Sequence, residues 1–263
     1  MVFKNRAHVE TTGLKGRKTF IENSFQISKQ LDSYLIASKL NDKGISHHFK
    51  DDGFWEAWIT LWMSKNIKPG SYCIDGGPNY GYYTFLLEKK NCEVLAIEAN
   101  PEIIPFLEKS IELNNCASKV KVINKAIVDV TGNVIELNIL TSSLNSTIIY
   151  QHPDGPVEKT IKVETIALDS IDRPVDFIKL DIEGAEELAW NGMQKLLERN
   201  PQCVVLLEFV YPHYLENGKY FFQSLSKNHK LTYVDYNGNE QLFTESMLTE
   251  DKEPYRMVVI RSL

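Results

Sequence analysis

Three groups of residues in this 263-residue chain have the types and spacing for ligand chemistry. The first is Asp75-Gly76-Gly77-Pro78-Asn79-Tyr80-Gly81, in which an acid ends the apolar run Tyr72-Cys73-Ile74 and a glycine-rich turn leads into a helical pattern from Tyr82 to Lys89. Strand, tight turn and helix N-terminus in that order bind nucleotides, and glycine serves where the backbone must approach a ligand too closely for a side chain. The second is Glu98, which ends Val94-Leu95-Ala96-Ile97 and lies 23 positions after Asp75. That is close to the ~20 residues between a glycine turn and the ribose-binding acid of a nucleotide-binding βαβ unit. A carboxylate accepts from both hydroxyls of a ribose diol, so Glu98 is the candidate ribose ligand. The third is Asp181-Ile182-Glu183-Gly184-Ala185-Glu186, which follows the apolar run from Val175. Asp181 falls at the carboxyl end of a strand, where open α/β sheets place their ligands. Glu186 also suits a helix N-terminus for purely electrostatic reasons.

The residues between the glycines separate the candidate ligands. A phosphate-binding P-loop needs Gly-Lys followed by Ser or Thr, and here Gly81 is followed by Tyr82. A dinucleotide fingerprint needs G-x-G-x-x-G, which no register of the turn supplies, and Pro78 has no N–H to offer a pyrophosphate. The turn resembles instead the first motif of class I S-adenosylmethionine methyltransferases, whose ligand carries no phosphate. Asp75 suits the amino group of that ligand, because a carboxylate makes charge-assisted hydrogen bonds to an ammonium.

Ile74-Asp75-Gly76-Gly77-Pro78-Asn79-Tyr80-Gly81-Tyr82-Tyr83-Thr84, Ile97-Glu98-Ala99-Asn100-Pro101 and Val175-Asp176-Phe177-Ile178-Lys179-Leu180-Asp181-Ile182-Glu183-Gly184-Ala185-Glu186 together resemble the FkbM family of methyltransferases. The likeness runs from about Asp52 to Pro212, and the D-x-E-G-A-E element is its most discriminating part. Two positions depart from the family pattern: Pro78 stands where Ala is usual and Gly76 where an apolar residue is usual, while Asp75, Gly77, Asn79 and Gly81 are kept.

The resemblance implies an α/β fold of the class I, Rossmann-like type: a seven-stranded sheet, mostly parallel with one antiparallel strand, and helices on both faces. It implies S-adenosylmethionine as cofactor, S-adenosylhomocysteine as product, and methyl transfer to a hydroxyl oxygen of a sugar, glycan or polyketide-type natural product. The cofactor-binding candidates are Asp75, Gly77, Asn79, Gly81, Glu98, Ala126 through its backbone, and Asp181. A hydroxyl is a poor nucleophile until deprotonated, and a positioned base is worth ~10² to 10⁴ in rate. The candidates for that base are Asp181, Glu183 and His213. A divalent metal on Asp181, Glu183 and Glu208 could also acidify the hydroxyl, although no spacing demands one and no metal site is expected. Two other readings remain: a nucleotide-binding module without catalysis, and an NAD-dependent oxidoreductase, which would share Glu98 but lacks the third fingerprint glycine.

Length and composition agree with one large α/β domain. Hydrophobic residues make up 43% and charged residues 24%, a globular balance, and no run approaches the ~20 apolar residues of a membrane span. A net charge of −6 speaks against a nucleic-acid backbone as main partner, and a neutral or small substrate is expected, which the resemblance implies carries a free hydroxyl. Four cysteines without C-x-x-C spacing read as buried thiols of a reducing compartment, so a cytoplasmic location is expected.

The expected organisation is an N-terminal arm and helix over 1–50 and a methyltransferase domain over 51–263, with an inserted ribbon near 133–166. Met1 to Phe20 is basic and lacks the apolar core of a signal peptide, so it reads as a mobile arm. Ile21 to Leu40 has weak helical periodicity, which suits a helix on the domain rim or against another subunit and leaves a homo-oligomer open. Lys43 to His48 reads as a solvated loop. Phe54, Trp58 and Trp62 recur every fourth residue, as on a helix, with Trp55 or Trp58 able to reach the cofactor mouth. Val134 to Leu140 and Thr160 to Thr165 read as paired strands with a hydroxyl-rich connection, Ser142 to Thr147, over the site. One helix is expected from Glu186 to about Arg199, then a strand from Cys203 with Glu208 at the site's edge, a hairpin at Asn237-Gly238 and a last antiparallel strand from Arg256.

Overall fold

A computed structural model of the chain describes residues 1–42, 44–140, 146–148, 156–211, 214, 217–250 and 255–263. Five parallel strands form one side of the main sheet, out to its edge at β6: β4 (Tyr72–Gly76), β5 (Glu93–Glu98), β6 (Val120–Asn124), β11 (Phe177–Leu180) and β12 (Val204–Val210). They are completed by β13 (His229–Val234), β14 (Glu240–Leu242) and β15 (Tyr255–Ser262), in the order β14-β13-β15-β12-β11-β4-β5-β6. β15 slots antiparallel between β12 and β13, the arrangement expected of the class I architecture. The sheet has eight strands among the described residues instead of seven, because β14 returns antiparallel to β13 beyond the Asn237-Gly238 turn. Glu240 on that added strand accepts both forks of Arg261, at 2.6 and 2.7 Å, and the indole N–H of Trp62 at 2.8 Å.

Apolar runs on both sides of β4, β5, β11 and β12 demand cover on both faces of the sheet. On one face pack α3 (Ala57–Asn66), α4 (Tyr82–Lys89) and α5 (Ile104–Asn114), around Trp62, Phe85 and Leu107. On the other pack α6 (Glu186–Asn191), α7 (Gln194–Arg199) and α8 (Gly218–Ser226), around Trp190, Leu196 and Phe221. A short helix, α9 (Met247–Glu250), lies before β15. The single helix expected from Glu186 to Arg199 is two helices, broken at Gly192. A Cβ there would come within 2.3 Å of the Val128 carbonyl, and the Gly192 carbonyl accepts from Asp169 N at 2.8 Å, while Asp169 Oδ1 caps α7 at Leu196 N. Partners outside the helix thus take the groups that would have continued it.

The N-terminal fifty residues differ most from the sequence expectation. The arm contains α1 (Arg6–Gly16), and the segment read as a helix is a three-stranded antiparallel sheet of β1 (Thr19–Glu22), β2 (Phe25–Gln30) and β3 (Tyr34–Lys39). Asn23 turns the first hairpin at φ +54°, and Leu31 and Asp32 turn the second, both at φ +50°. β3 is docked on α5: Asn114 exchanges hydrogen bonds with the Leu35 backbone at 3.0 and 2.7 Å, and Ser110 Oγ accepts from Ala37 N at 2.8 Å. These side chains take up groups that an edge strand would otherwise leave open. The loop expected at Lys43 to His48 becomes α2 (Ser46–Asp51), with Asp42 accepting from Ser46 N.

β8 (Val134–Leu140) pairs antiparallel with β10 (Val157–Ile166), flanked by β9 (Ser146–Thr147) and by β7 (Ala126–Ile127). Residues 142–145 of the hydroxyl-rich connection lie outside the described residues.

Candidate functional site

A cavity of about 510 Å³ opens at the carboxyl ends of β4, β5 and β11, the position the parallel topology prescribes. The glycine turn forms its floor. Gly77 adopts φ +69°, and a Cβ on it would fall 1.8 Å from the Asp181 carbonyl oxygen, so only glycine lets the two strand ends meet there. Gly81, at φ +92°, starts α4 and packs on Phe85 and Leu107; it shapes the turn without lining the cavity. Asn79 lines the cavity at φ +50°.

Glu98 is buried at the end of β5, lines the cavity, and binds both sides of it. One oxygen accepts from Asn79 N at 3.1 Å and the other from Asn100 N at 2.8 Å. Burial pushes its carboxyl up to about 7, against the pull of those two N–H groups. Ala126 is also buried and lines the cavity beside Lys125 and Ile127.

Asp75 does not line the cavity. Its carboxylate is wholly buried, accepts from Thr84 Oγ1 at 2.5 Å and faces Lys179 Nζ at 3.6 Å. Lys179 is itself buried on β11, and reaches Asp181 at 3.1 Å and the Gly77 carbonyl at 3.2 Å. Neighbouring Asp181 and Asp75 hold its ammonium charged despite the burial. The acid of the first motif and the acid of the third thus share one buried cation, which also holds the glycine turn.

Asp181 and Glu183 both line the cavity, with Glu183 in a left-handed conformation at φ +55° and its carbonyl accepting from Thr147 Oγ1 of the ribbon at 2.6 Å. Glu186 is spent on the backbone: it accepts from Ile182 N at 2.9 Å, Gly184 N at 3.0 Å and the Tyr214 hydroxyl at 3.1 Å. Burial pushes Glu186 up to about 7. Glu208 lines the cavity, and its buried Oε2 has no hydrogen-bond partner among the described residues. Burial, then the charges of Asp181, Glu183, Glu186 and Glu56, hold it well above the usual carboxylate range. His213 lies outside the described residues. Among those residues no group of three or more His, Cys, Asp or Glu is placed to hold a metal ion.

Several lining residues escaped the sequence reading. Glu56, just before α3, accepts from the hydroxyls of Tyr83 at 2.5 Å and Tyr255 at 2.6 Å. His48 also lines the cavity, bonded to Asp52 at 2.7 Å with its ring 4.8 Å from that of Trp55, so the expected solvated loop is part of the wall. Trp55 reaches the cavity and Trp58 does not. The only sequence cue to Glu56 was a carboxylate set inside the aromatic run Phe54-Trp55-Glu56-Ala57-Trp58.

The wall suits an adenosyl group: an acid for a diol, a backbone approach cleared by Gly77, and an apolar face from Ile97, Ala99 and Ile127. The sheet order, with the cavity at its carboxyl edge, is that of the class I, Rossmann-like fold. The methyltransferase FkbM domain profile matches residues 75–240, and the chain belongs to that family. It is a methyltransferase that uses S-adenosylmethionine.

Among solved structures, the chain is similar to precorrin-6Y C5,15-methyltransferase from Geobacter metallireducens, at 11% identity over 81% of this chain and 89% of that one, with a TM-score of 0.45. It is also similar to the S-adenosylhomocysteine-bound methyltransferase PaMTH1 of Podospora anserina, at 11% identity over 79% and 77% with a TM-score of 0.47. A third is a TehB-like methyltransferase from Corynebacterium glutamicum, at 11% identity over 84% and 94% with a TM-score of 0.44. No curated protein matches the chain. Among the described residues no helix is long and apolar enough to cross a membrane.

Proposed function

We propose that the chain transfers a methyl group to a hydroxyl oxygen of a small molecule or glycan, of the sugar or polyketide type. The observation that carries this reading is that the cavity holding the glycine turn and Glu98 is also walled by Glu56, Asp181, Glu183 and Glu208, with Trp55 and Tyr255 beside them. Carboxylates accept hydrogen bonds from hydroxyls and can take their protons, and aromatic faces suit sugar rings. The bound cofactor supplies an electrophilic methyl group. The protein's part is to align an acceptor oxygen with it and to remove a proton.

In this reading Glu98 takes the ribose diol, Gly77 and Asn79 the close backbone approach, Gly81 the shape of the turn, and Ala126 the adenine edge through its backbone. Asp75 acts on the cofactor end through Lys179 instead of by contact. Asp181 and Glu183 face the acceptor, and His213 stays a candidate base. Residues 51–263 act as the methyltransferase domain, with the ribbon near 133–166 as its cover and 1–50 as its flank.

Thermal unfolding with S-adenosylmethionine, S-adenosylhomocysteine and NAD in parallel tests the cofactor half. A ligand at a hundred times its dissociation constant adds ~2.7 kcal/mol, a visible rise. The two sulfur ligands should raise the transition, and a rise with NAD alone would overturn the reading. Mass spectrometry of hydroxylated acceptors after incubation then tests the transfer. Asp181→Asn should keep cofactor binding and lose turnover, whereas a binding module without catalysis would show no turnover to lose.

A further inference from the structure

Glu56 stands between α2 and α3 with φ +34° and ψ 70°, a left-handed conformation that costs a side-chain-bearing residue energy. The helix expected to start at Phe54 starts at Ala57 instead, and this departure places the Glu56 carboxylate in the cavity wall. Two tyrosines from separate elements hold it there: Tyr83 of α4 donates to Oε2 and Tyr255 of β15 to Oε1. Each oxygen keeps a second acceptor position. Tyr83 also links the carboxylate to the cation that holds the glycine turn. Lys179 Nζ bonds the Gly77 carbonyl and lies 5.4 Å from the centre of the Tyr83 ring whose hydroxyl binds Glu56.

Two other carboxylates of the wall are committed elsewhere. Asp181 is ion-paired with Lys179, and Glu98 is held by two backbone N–H groups. Burial and the neighbouring carboxylates hold Glu208 well above the usual carboxylate range. We propose that Glu56 is the group that takes the proton of the acceptor, an inference that rests on the hydroxyl-methylation reading above. A lone pair of the acceptor oxygen forms the bond to the methyl carbon, the carbon–sulfur bond breaks with its electron pair going to sulfur, and the O–H proton passes to Glu56. The products are a methyl ether, a neutral thioether and one proton, which Glu56 later yields to water.

The groups that face Glu56 are Tyr82, Tyr83, Tyr255, Lys179, Asp181 and Glu208. Burial raises its carboxyl above the usual value while the hydrogen bonds of Tyr255 and Tyr83 lower it, which leaves a stronger base than a solvated carboxylate. Removing either tyrosine hydroxyl therefore moves its ionisation to higher pH.

The test needs no identified acceptor. Sinefungin carries an amine-bearing carbon where the cofactor has its sulfonium and methyl group, so its ammonium reports on the group facing the methyl, while S-adenosylhomocysteine reports on the rest of the site. Titration calorimetry of both ligands should show Glu56→Gln losing sinefungin affinity by roughly thirtyfold or more. Affinity for S-adenosylhomocysteine should stay within about twofold. Tyr83→Phe and Tyr255→Phe should move the pH midpoint of sinefungin binding upward. Wild-type affinity for sinefungin in Glu56→Gln would overturn the assignment. Should that variant bind neither ligand through misfolding, unmoved midpoints in both tyrosine variants would overturn it instead, and raised ones support it. Failure of the wild type to bind S-adenosylhomocysteine would overturn the cofactor reading itself, and this assignment with it.

Discussion

Lys179 donates through its buried ammonium to the carbonyl oxygen of Gly77 at 3.2 Å. A cation on one strand thereby fixes the glycine turn of its neighbour, with Asp75 behind it and Asp181 beside it. Removing one partner of a buried ion pair costs more than the pair is worth, because the other charge stays buried alone. Lys179→Met should therefore destabilise the protein by about 3 to 5 kcal/mol in urea unfolding and abolish binding of S-adenosylhomocysteine. Asp75→Asn added to Lys179→Met should recover part of the lost stability, since it removes the stranded charge.

Gly77→Ala should be as damaging to binding by a different cause. The new Cβ would lie 1.8 Å from the Asp181 carbonyl oxygen, which is backbone and cannot swing aside, and φ +69° adds strain of ~1 to 3 kcal/mol. Calorimetry should show no binding of S-adenosylhomocysteine, with circular dichroism close to wild type. Gly132→Ala is the control, since a Cβ there meets nothing within 4 Å; it should bind normally despite its own positive φ.

The contrast between these motifs and the N-terminal region explains what could be read in advance. Asp75, Gly77, Glu98 and Asp181 sit at the ends of strands whose unbroken apolar runs announce themselves, and the order of acid, turn and acid fixes their place at one sheet edge. What spacing could not show is that Asp75 faces inward to Lys179, because strand periodicity gives a face and not a partner. Across β2, β3 and the turn between them the residues Phe25, Leu31 and Leu35 happen to fall near helical spacing, and the turn uses Leu31 and Asp32 at positive φ where Gly or Asn would have signalled a hairpin. Glu56 was hidden for a related reason: its left-handed backbone is set by tyrosines 27 and 199 positions away.

Two buried carboxyls give the protein opposite responses of stability and affinity to pH. Glu98 and Glu186 are pushed up to about 7 in the folded chain, above an unfolded value near 4.5. Between these values the folded state binds more protons than the unfolded one, so stability falls as pH rises from about 4.5 to about 7. A diol donates to a carboxylate, so affinity for S-adenosylhomocysteine should rise over the upper part of the same range. Glu98→Gln should flatten part of the fall in melting temperature and remove the rise in affinity. Melting scans and calorimetry at pH 5, 6, 7 and 8 give both curves.

The N-terminal sheet belongs to the same core as the cofactor-binding half, which makes truncation a decisive manipulation. Leu31, Tyr34 and Ile36 are buried in one cluster with Phe85 and Leu107, and the Tyr34 hydroxyl donates to the Tyr82 carbonyl at 3.1 Å in the first turn of α4. Deleting residues 1–40 would bare that face of α4 and α5, and an apolar patch of this kind drives aggregation. The truncated chain should be recovered only as insoluble material, whereas a detachable arm would leave a soluble protein that still binds S-adenosylhomocysteine. Tyr34→Phe isolates the single hydrogen bond and should cost about 1 kcal/mol in urea unfolding. Because that bond ends on the helix that follows the glycine turn, the variant should also weaken cofactor binding modestly, a coupling that calorimetry reads directly.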